Sequence, residues 1–111
     1  MAARANITID QGSTFSTYLV LTDSSGIVID LTGYTVYSQI RKWYTSSTAT
    51  TFDISIANAT AGTVLLSLTA NATANLASGK YVYDVESHDT ANQIARIIEG
   101  SITVTPEVTR I

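Results

Sequence analysis

The residues that can do acid–base or metal chemistry are few and sit close together. His88 is the only histidine, and Asp84, Glu86 and Asp89 are its acidic neighbours. Asp84 and Glu86 alternate with Tyr83 and Val85. In an extended strand they share one face, and His88 continues the row. Two carboxylates and an imidazole are ligand types a divalent cation accepts. A solvated acidic strand face leading into a turn explains the same pattern, and the spacing favours it. The same histidine, Asp89 and the many serines would permit a Ser-His-Asp set, but no Gly-x-Ser-x-Gly turn presents a nucleophile. Asp23-x-Ser25-Gly26 has the outline of a calcium loop, yet it supplies one carboxylate where such loops need several. A β-turn accounts for it. No glycine-rich phosphate loop is present. The sequence therefore predicts no catalytic residues, no metal and no cofactor.

Recognition chemistry is better represented. Tyr37, Gln39, Arg41 and Trp43 alternate along one strand-like stretch, with Lys42 and Tyr44 at its end. Aromatic and Arg side chains are the common anchors of protein interfaces. Two readings stand for this row. It contacts a partner subunit, or Tyr37 and Trp43 pack under a loop or against a neighbouring strand. Aromatic faces also stack on sugars, so a carbohydrate-binding or host-adhesion module using Tyr37, Trp43 and Tyr44 is the alternative use.

These residues need strands to position them, and the pattern supplies strands throughout. From Gly79 to Ser87, Tyr81, Tyr83 and Val85 alternate with Lys80, Val82, Asp84 and Glu86. Period two marks a half-buried strand, and this one is the expected centre of the fold. Leu76, in the segment before it, is placed to drop one apolar side chain inward. Asn6 to Asp10 is a short strand, broken at Gln11-Gly12. Thr14 to Thr22 is longer, with Phe15, Thr17, Leu19 and Leu21 on one face. The other face holds Ser16, Tyr18 and Val20, and its apolar content predicts partial cover. Asp23 to Gly26 is a turn leading to a short strand, Ile27 to Ile29, which makes a hairpin with the preceding one. A second turn spans Asp30 to Gly33, with Leu31 anchoring it to the core. Tyr34 to Trp43 places Val36, Ser38 and Ile40 inward. After an exposed loop, Phe52, Ile54 and Ile56 face inward, then Val64, Leu66 and Leu68. Thr69 to Ala77 reads as one helical turn. His88 to Asn92 is a turn, and Gln93 to Thr105 closes the domain, interrupted at Gly100-Ser101 and ended by Pro106.

Seven or eight short strands with turn signals between them predict an all-β, antiparallel, Ig-like β-sandwich, a single domain over residues 1–111. Charged residues are only 14% of the chain against 45% hydrophobic, which argues against a disordered chain. The net charge of −3 and the lack of clustered cations argue against nucleic acid. There are no cysteines, so neither a disulfide nor a thiolate metal site is available. No apolar run approaches a membrane span and no signal peptide is recognisable, so a soluble protein with no membrane partner is expected. Edge strands offer a second way to bind. The first strand (Ile7 to Ile9) and the tail (Val108 to Ile111) are short, uncharged or apolar over most of their length, and near the chain ends.

The order of these pieces is distinctive. Gln11-Gly12-Ser13-Thr14-Phe15 is followed by Leu21 to Gly26 and by Asp30-Leu-Thr-Gly-Tyr34. Later come Gly62-Thr63-Val64, Leu66-Ser-Leu68-Thr69, Leu76, Gly79 and Tyr81 to Glu86, then Ile97, Glu99-Gly100 and Ile102-Thr-Val104. Nearly the whole chain resembles the small Ig-like β-sandwich modules in virions of tailed bacteriophages. It is most similar to the N-terminal module of siphophage upper baseplate proteins and to short structural proteins of T4-like cyanophages. The resemblance implies a non-enzymatic virion component of the tail, baseplate or neck, docking other virion structural proteins and able to form homo-oligomers in the particle. A capsid decoration protein is a variant of that reading. The sequence ends after the module, without the receptor-binding or coiled-coil region of the baseplate proteins.

Overall fold

The computed structural model describes residues 3–108, so the predicted C-terminal tail beyond Val108 lies outside the described residues. Among the described residues, nine strands and one helical turn follow in order: β1 (Ala3–Arg4), β2 (Ile7–Asp10), β3 (Phe15–Val20), β4 (Thr35–Arg41), β5 (Thr50–Thr51), β6 (Asp53–Asn58), β7 (Thr63–Leu68), α1 (Ala70–Ala74), β8 (Gly79–His88) and β9 (Ile94–Thr105). The larger sheet runs β1-β9-β8-β4-β5, with β2 following β1 along the edge of β9; the smaller runs β3-β7-β6. The grouping of β6-β7-β3 in one sheet against β4-β8-β9 in the other is the Ig-like arrangement. It departs from a wholly antiparallel sandwich at one edge, where β1 and β2 pair with β9 in parallel.

The period-two pattern becomes the core directly. β7 buries Val64, Leu66 and Leu68 against Tyr83 and Val85 of β8 and Ile98, Ile102 and Val104 of β9. Phe52 sits between Phe15 and Tyr83, with ring centroids 6.1 and 6.3 Å away. Leu31 and Leu76 are buried, as anchors of the second turn and of the segment before β8. Thr69 caps α1, its hydroxyl accepting the Ala72 N–H at 3.2 Å. Within α1, Thr73 is fully buried. Its Oγ1 accepts the Gly12 N–H at 3.0 Å and lies 2.8 Å from the Ser13 carbonyl, to which it donates. The neighbouring Gln11 side chain donates to the Leu76 carbonyl and accepts from the Glu107 N–H. One helical turn thus ties the β2–β3 bend to the approach to β8.

Several local expectations are corrected. Residues 27–29 return antiparallel along 21–23, so the hairpin is present, but it is limited to the single bridge Thr22–Val28 with the Asp23 N–H to the Ile27 carbonyl and the Ile29 N–H to the Leu21 carbonyl. The Asp23 carboxylate takes the N–H groups of Ser25 and Ile27, which closes the turn. Ile56 lies at the edge strand β6 and is more exposed than its inward register implies. The Tyr18 and Val20 face of β3 is uncovered, at 66% and 51% exposure. β9 runs unbroken through Gly100. That glycine is instead a close approach, since a Cβ would overlap the Ala5 carbonyl. The same carbonyl accepts the Tyr83 hydroxyl at 2.7 Å. The irregularity of this hairpin lies at Val85/Glu86, which pair with Ile98 and Arg96 and leave Ile97 as the extra residue of a bulge.

Candidate functional site

On β4, inward Val36, Ser38 and Ile40 are buried, which turns Tyr37, Gln39 and Arg41 to the outer face of the larger sheet. Antiparallel register then sets their neighbours. Tyr37 opposes Glu86, Gln39 opposes Asp84 and Arg41 opposes Val82. One strand further, Asp84 opposes Glu99 and Glu86 opposes Arg96. These side chains, with Tyr44 and His88, line a groove of about 560 Å³.

The groove is held by charge pairing. Arg96 Nε lies 3.3 Å from Asp84 Oδ2, and another of its nitrogens lies 3.3 Å from Glu99 Oε2. Arg4 adds a longer contact to Glu99 at 3.9 Å. His88 Nε2 is 3.7 Å from Glu86 Oε1, and its ring meets Tyr37 edge-on at 4.6 Å between centroids. Arg41 donates to the Ser46 carbonyl at 2.6 Å and to Gln39 Oε1 at 3.0 Å. That tether fixes the 43–46 turn, and with it Tyr44, at the groove. Burial holds the Asp84 carboxyl above its ordinary range, with Glu86 and Glu99 adding to the shift and Arg96 and Arg41 opposing it. Among the described residues, no group of three or more His, Cys, Asp or Glu side chains could hold a metal ion.

Tyr37, Gln39, Arg41 and Tyr44 are therefore brought together, and Trp43 is not. β4 ends at Arg41, and Trp43 belongs to the turn closed by the Ser46 N–H to its carbonyl at 3.0 Å. Its ring is 59% exposed outside the groove, so the predicted four-residue row is three residues long. Lys42 also leaves the row, donating to the Lys80 carbonyl and covering the Tyr81 ring. The exposure of Tyr37 and Trp43, 50% and 59%, sets aside the reading in which they pack under a loop, while the contact of Tyr37 with His88 is packing against the neighbouring strand β8. Arg96 and Glu99 were not legible as members. They lie three apart, which in a regular strand puts them on opposite faces, and the bulge at Ile97 restores them to one. A cation following the acidic row of β8 across a tight hairpin is the one local hint.

The site suits recognition: two exposed rings flank a concavity whose charges are fixed by partners within the chain. No family model matches the chain, and no curated protein matches it. Among solved structures it is similar to an internalin-like protein of Listeria monocytogenes, at 14% identity and a TM-score of 0.46 over 96% of this chain. The chain spans 28% of that protein's length. It is also similar to murine CRIg, at 13% identity and a TM-score of 0.42, with 92% of each chain covered.

Proposed function

We propose that the protein is a non-enzymatic structural component of a tailed-phage virion, docking other virion subunits through the outer face of its larger sheet. The observation that carries the docking role is the groove. Arg96 and Arg41 are already held by partners within the chain, so little side-chain ordering is left to oppose binding. Tyr37 and Tyr44 stand exposed beside them, with the size and amphipathic character of interface anchors. The phage setting rests on the order of turns and strands that resembles virion modules. Repetition in a particle would let modest single contacts add up. The test is quantitative mass spectrometry of purified particles of the encoding phage. A fixed stoichiometry, lost in the doubly substituted Tyr37→Ala, Tyr44→Ala chain while its melting temperature is kept, supports the reading. Absence of the wild-type chain from intact particles refutes it.

A glycan-binding role is the second reading, favoured by the adjacent exposed rings of Trp43 and Tyr44. Trp43 is the only tryptophan, so its fluorescence reports on that surface directly. Saturable quenching by host polysaccharide supports this role, and unchanged emission overturns it.

A further inference from the structure

Sheet edges attract other chains unless something blunts them. Among the described residues, three of the four sheet edges are blunted. β5 has two residues. β6 carries Asp53 and a register shift between Ile56 and Asn58. The β1–β2 edge is interrupted at residues 5–6 and ends on Asp10. The edge of β3 has none of these devices. Its six residues pair with β7 from Phe15–Leu68 to Val20–Thr63 without a shift. Residues 13–22 contain no charge, no proline and no glycine. Among the described residues, no strand pairs with β3 on its other side.

The backbone groups of that edge can be assigned. The Leu21 N–H donates to the Gly62 carbonyl at 2.8 Å, in line with the β3–β7 register. Alternation along an antiparallel ladder then turns Phe15, Thr17 and Leu19 toward β7. The N–H and C=O groups of Ser16, Tyr18 and Val20 point outward.

We propose that two copies of the chain pair antiparallel along the free edge of β3, joining their smaller sheets across a twofold axis. A second copy fits this edge better than a charged partner segment does. The edge is neutral, so like strands meet without repulsion, and an antiparallel strand paired with itself is self-complementary by symmetry. Centred on Tyr18, the pairing sets Ser16 opposite the partner's Val20 and Tyr18 opposite the partner's Tyr18. Each opposed pair exchanges two N–H···O bonds. The exposed Tyr18 and Val20 side chains meet on one face and shield each other from water. Such a contact is smaller than the ~800 Å² per partner of a standard interface, so the dimer dissociates on dilution. The inference concerns the sheet opposite the groove and does not depend on the docking role.

Sedimentation velocity across a wide concentration range tests it. The wild-type mass rises from 11.8 kDa toward twice that value as concentration increases. Tyr18→Lys places two like charges on the axis and weakens association by about tenfold or more, while the melting temperature stays unchanged because the side chain is exposed. Tyr18→Cys gives a positive readout, since the chain has no other cysteine. A hydrogen-bonded pair sets the two Cα atoms about 5.5 Å apart, within reach of a short bis-maleimide linker. The linker then joins Tyr18→Cys dimers much faster than a Ser24→Cys control in the exposed turn. The proposal is overturned if the wild type is monomeric at every concentration, or if Tyr18→Lys associates like wild type. It also fails if Tyr18→Cys crosslinks no faster than the control, or only to a different virion protein.

Discussion

Thr73→Val exchanges one oxygen for a methyl group at constant volume, inside a fully buried site. Three groups lose a partner: the Gly12 N–H, bound at 3.0 Å, and the Ser13 and Ala70 carbonyls, which share the hydroxyl proton at 2.8 and 3.1 Å. A buried donor or acceptor left without a partner costs about 1–3 kcal/mol. Gly12 and Ser13 lie in the bend between β2 and β3, where Gly12 is partly buried and Ser13 is exposed, so the carbonyl cost is the smaller. The full cost therefore falls on one group, and the sum is about 2–3 kcal/mol. At about 4 °C or more per kcal/mol for a domain of this size, the melting temperature drops by about 10 °C. Thr73→Ser keeps the hydroxyl and loses one methyl, at a cost of about 1 kcal/mol. Thermal and urea unfolding followed by circular dichroism should rank wild type above Thr73→Ser, and Thr73→Ser above Thr73→Val. Hydrogen exchange at the Gly12 amide should quicken in the valine variant alone. If Thr73→Val proves as stable as Thr73→Ser, packing rather than the hydroxyl holds the bend to α1, and the reasoning fails.

Two further outcomes follow from ionisable groups. Tyr83→Phe removes the hydroxyl bound to the Ala5 carbonyl and should cost about 1 kcal/mol at neutral pH. Burial pushes the Tyr83 phenol from 10.0 up to about 12. A raised native value adds stability that is complete below pH 10.0 and lost as pH climbs toward about 12, so the deficit of Tyr83→Phe should shrink over that window in urea titrations. A deficit that stays constant would refute the burial argument. The Asp84 carboxyl is also raised, chiefly by burial, from an ordinary value of 3.8. Its charge is therefore carried at a cost once pH exceeds that value. Asp84→Asn should melt more favourably relative to wild type at neutral pH than in acid; the opposite trend would mean that the Arg96 pair outweighs burial and the two neighbouring carboxylates.

Local chemistry made much of the fold legible. The alternation of Val64, Leu66 and Leu68, and of Tyr83 and Val85, needs no partner to declare its buried side, and all five are core. The helical turn after Thr69 and the turn at Gly26 are set within a few residues. What escaped was set by strands far away in sequence. Gly100 looks like a break until Ala5 crosses over it. Residues 27–29 do return antiparallel along 21–23, but with Ile27 and Val28 exposed the pairing stops at a single bridge. In the groove, Tyr37, Gln39 and Arg41 follow from alternation, whereas Trp43 leaves the row because β4 stops at Arg41, a boundary nothing in the sequence marks. Arg96 and Glu99 joined the site only through a bulge, which shifts parity without a sequence signal of its own.

The parallel pairing of β2 with β9 has a mechanical consequence. Ile7 lies beside Ile102 and Asp10 beside Thr105, so the polypeptide enters this ladder at one end and leaves it at the other. Tension along the chain, applied ahead of β2 and behind β9, slides the two strands lengthwise past each other. The ladder hydrogen bonds then bear the load together. A hairpin pulled open from its free end gives way one pair at a time. The edge that holds the first strands in place is thus also the part of the sandwich best oriented to resist being drawn out.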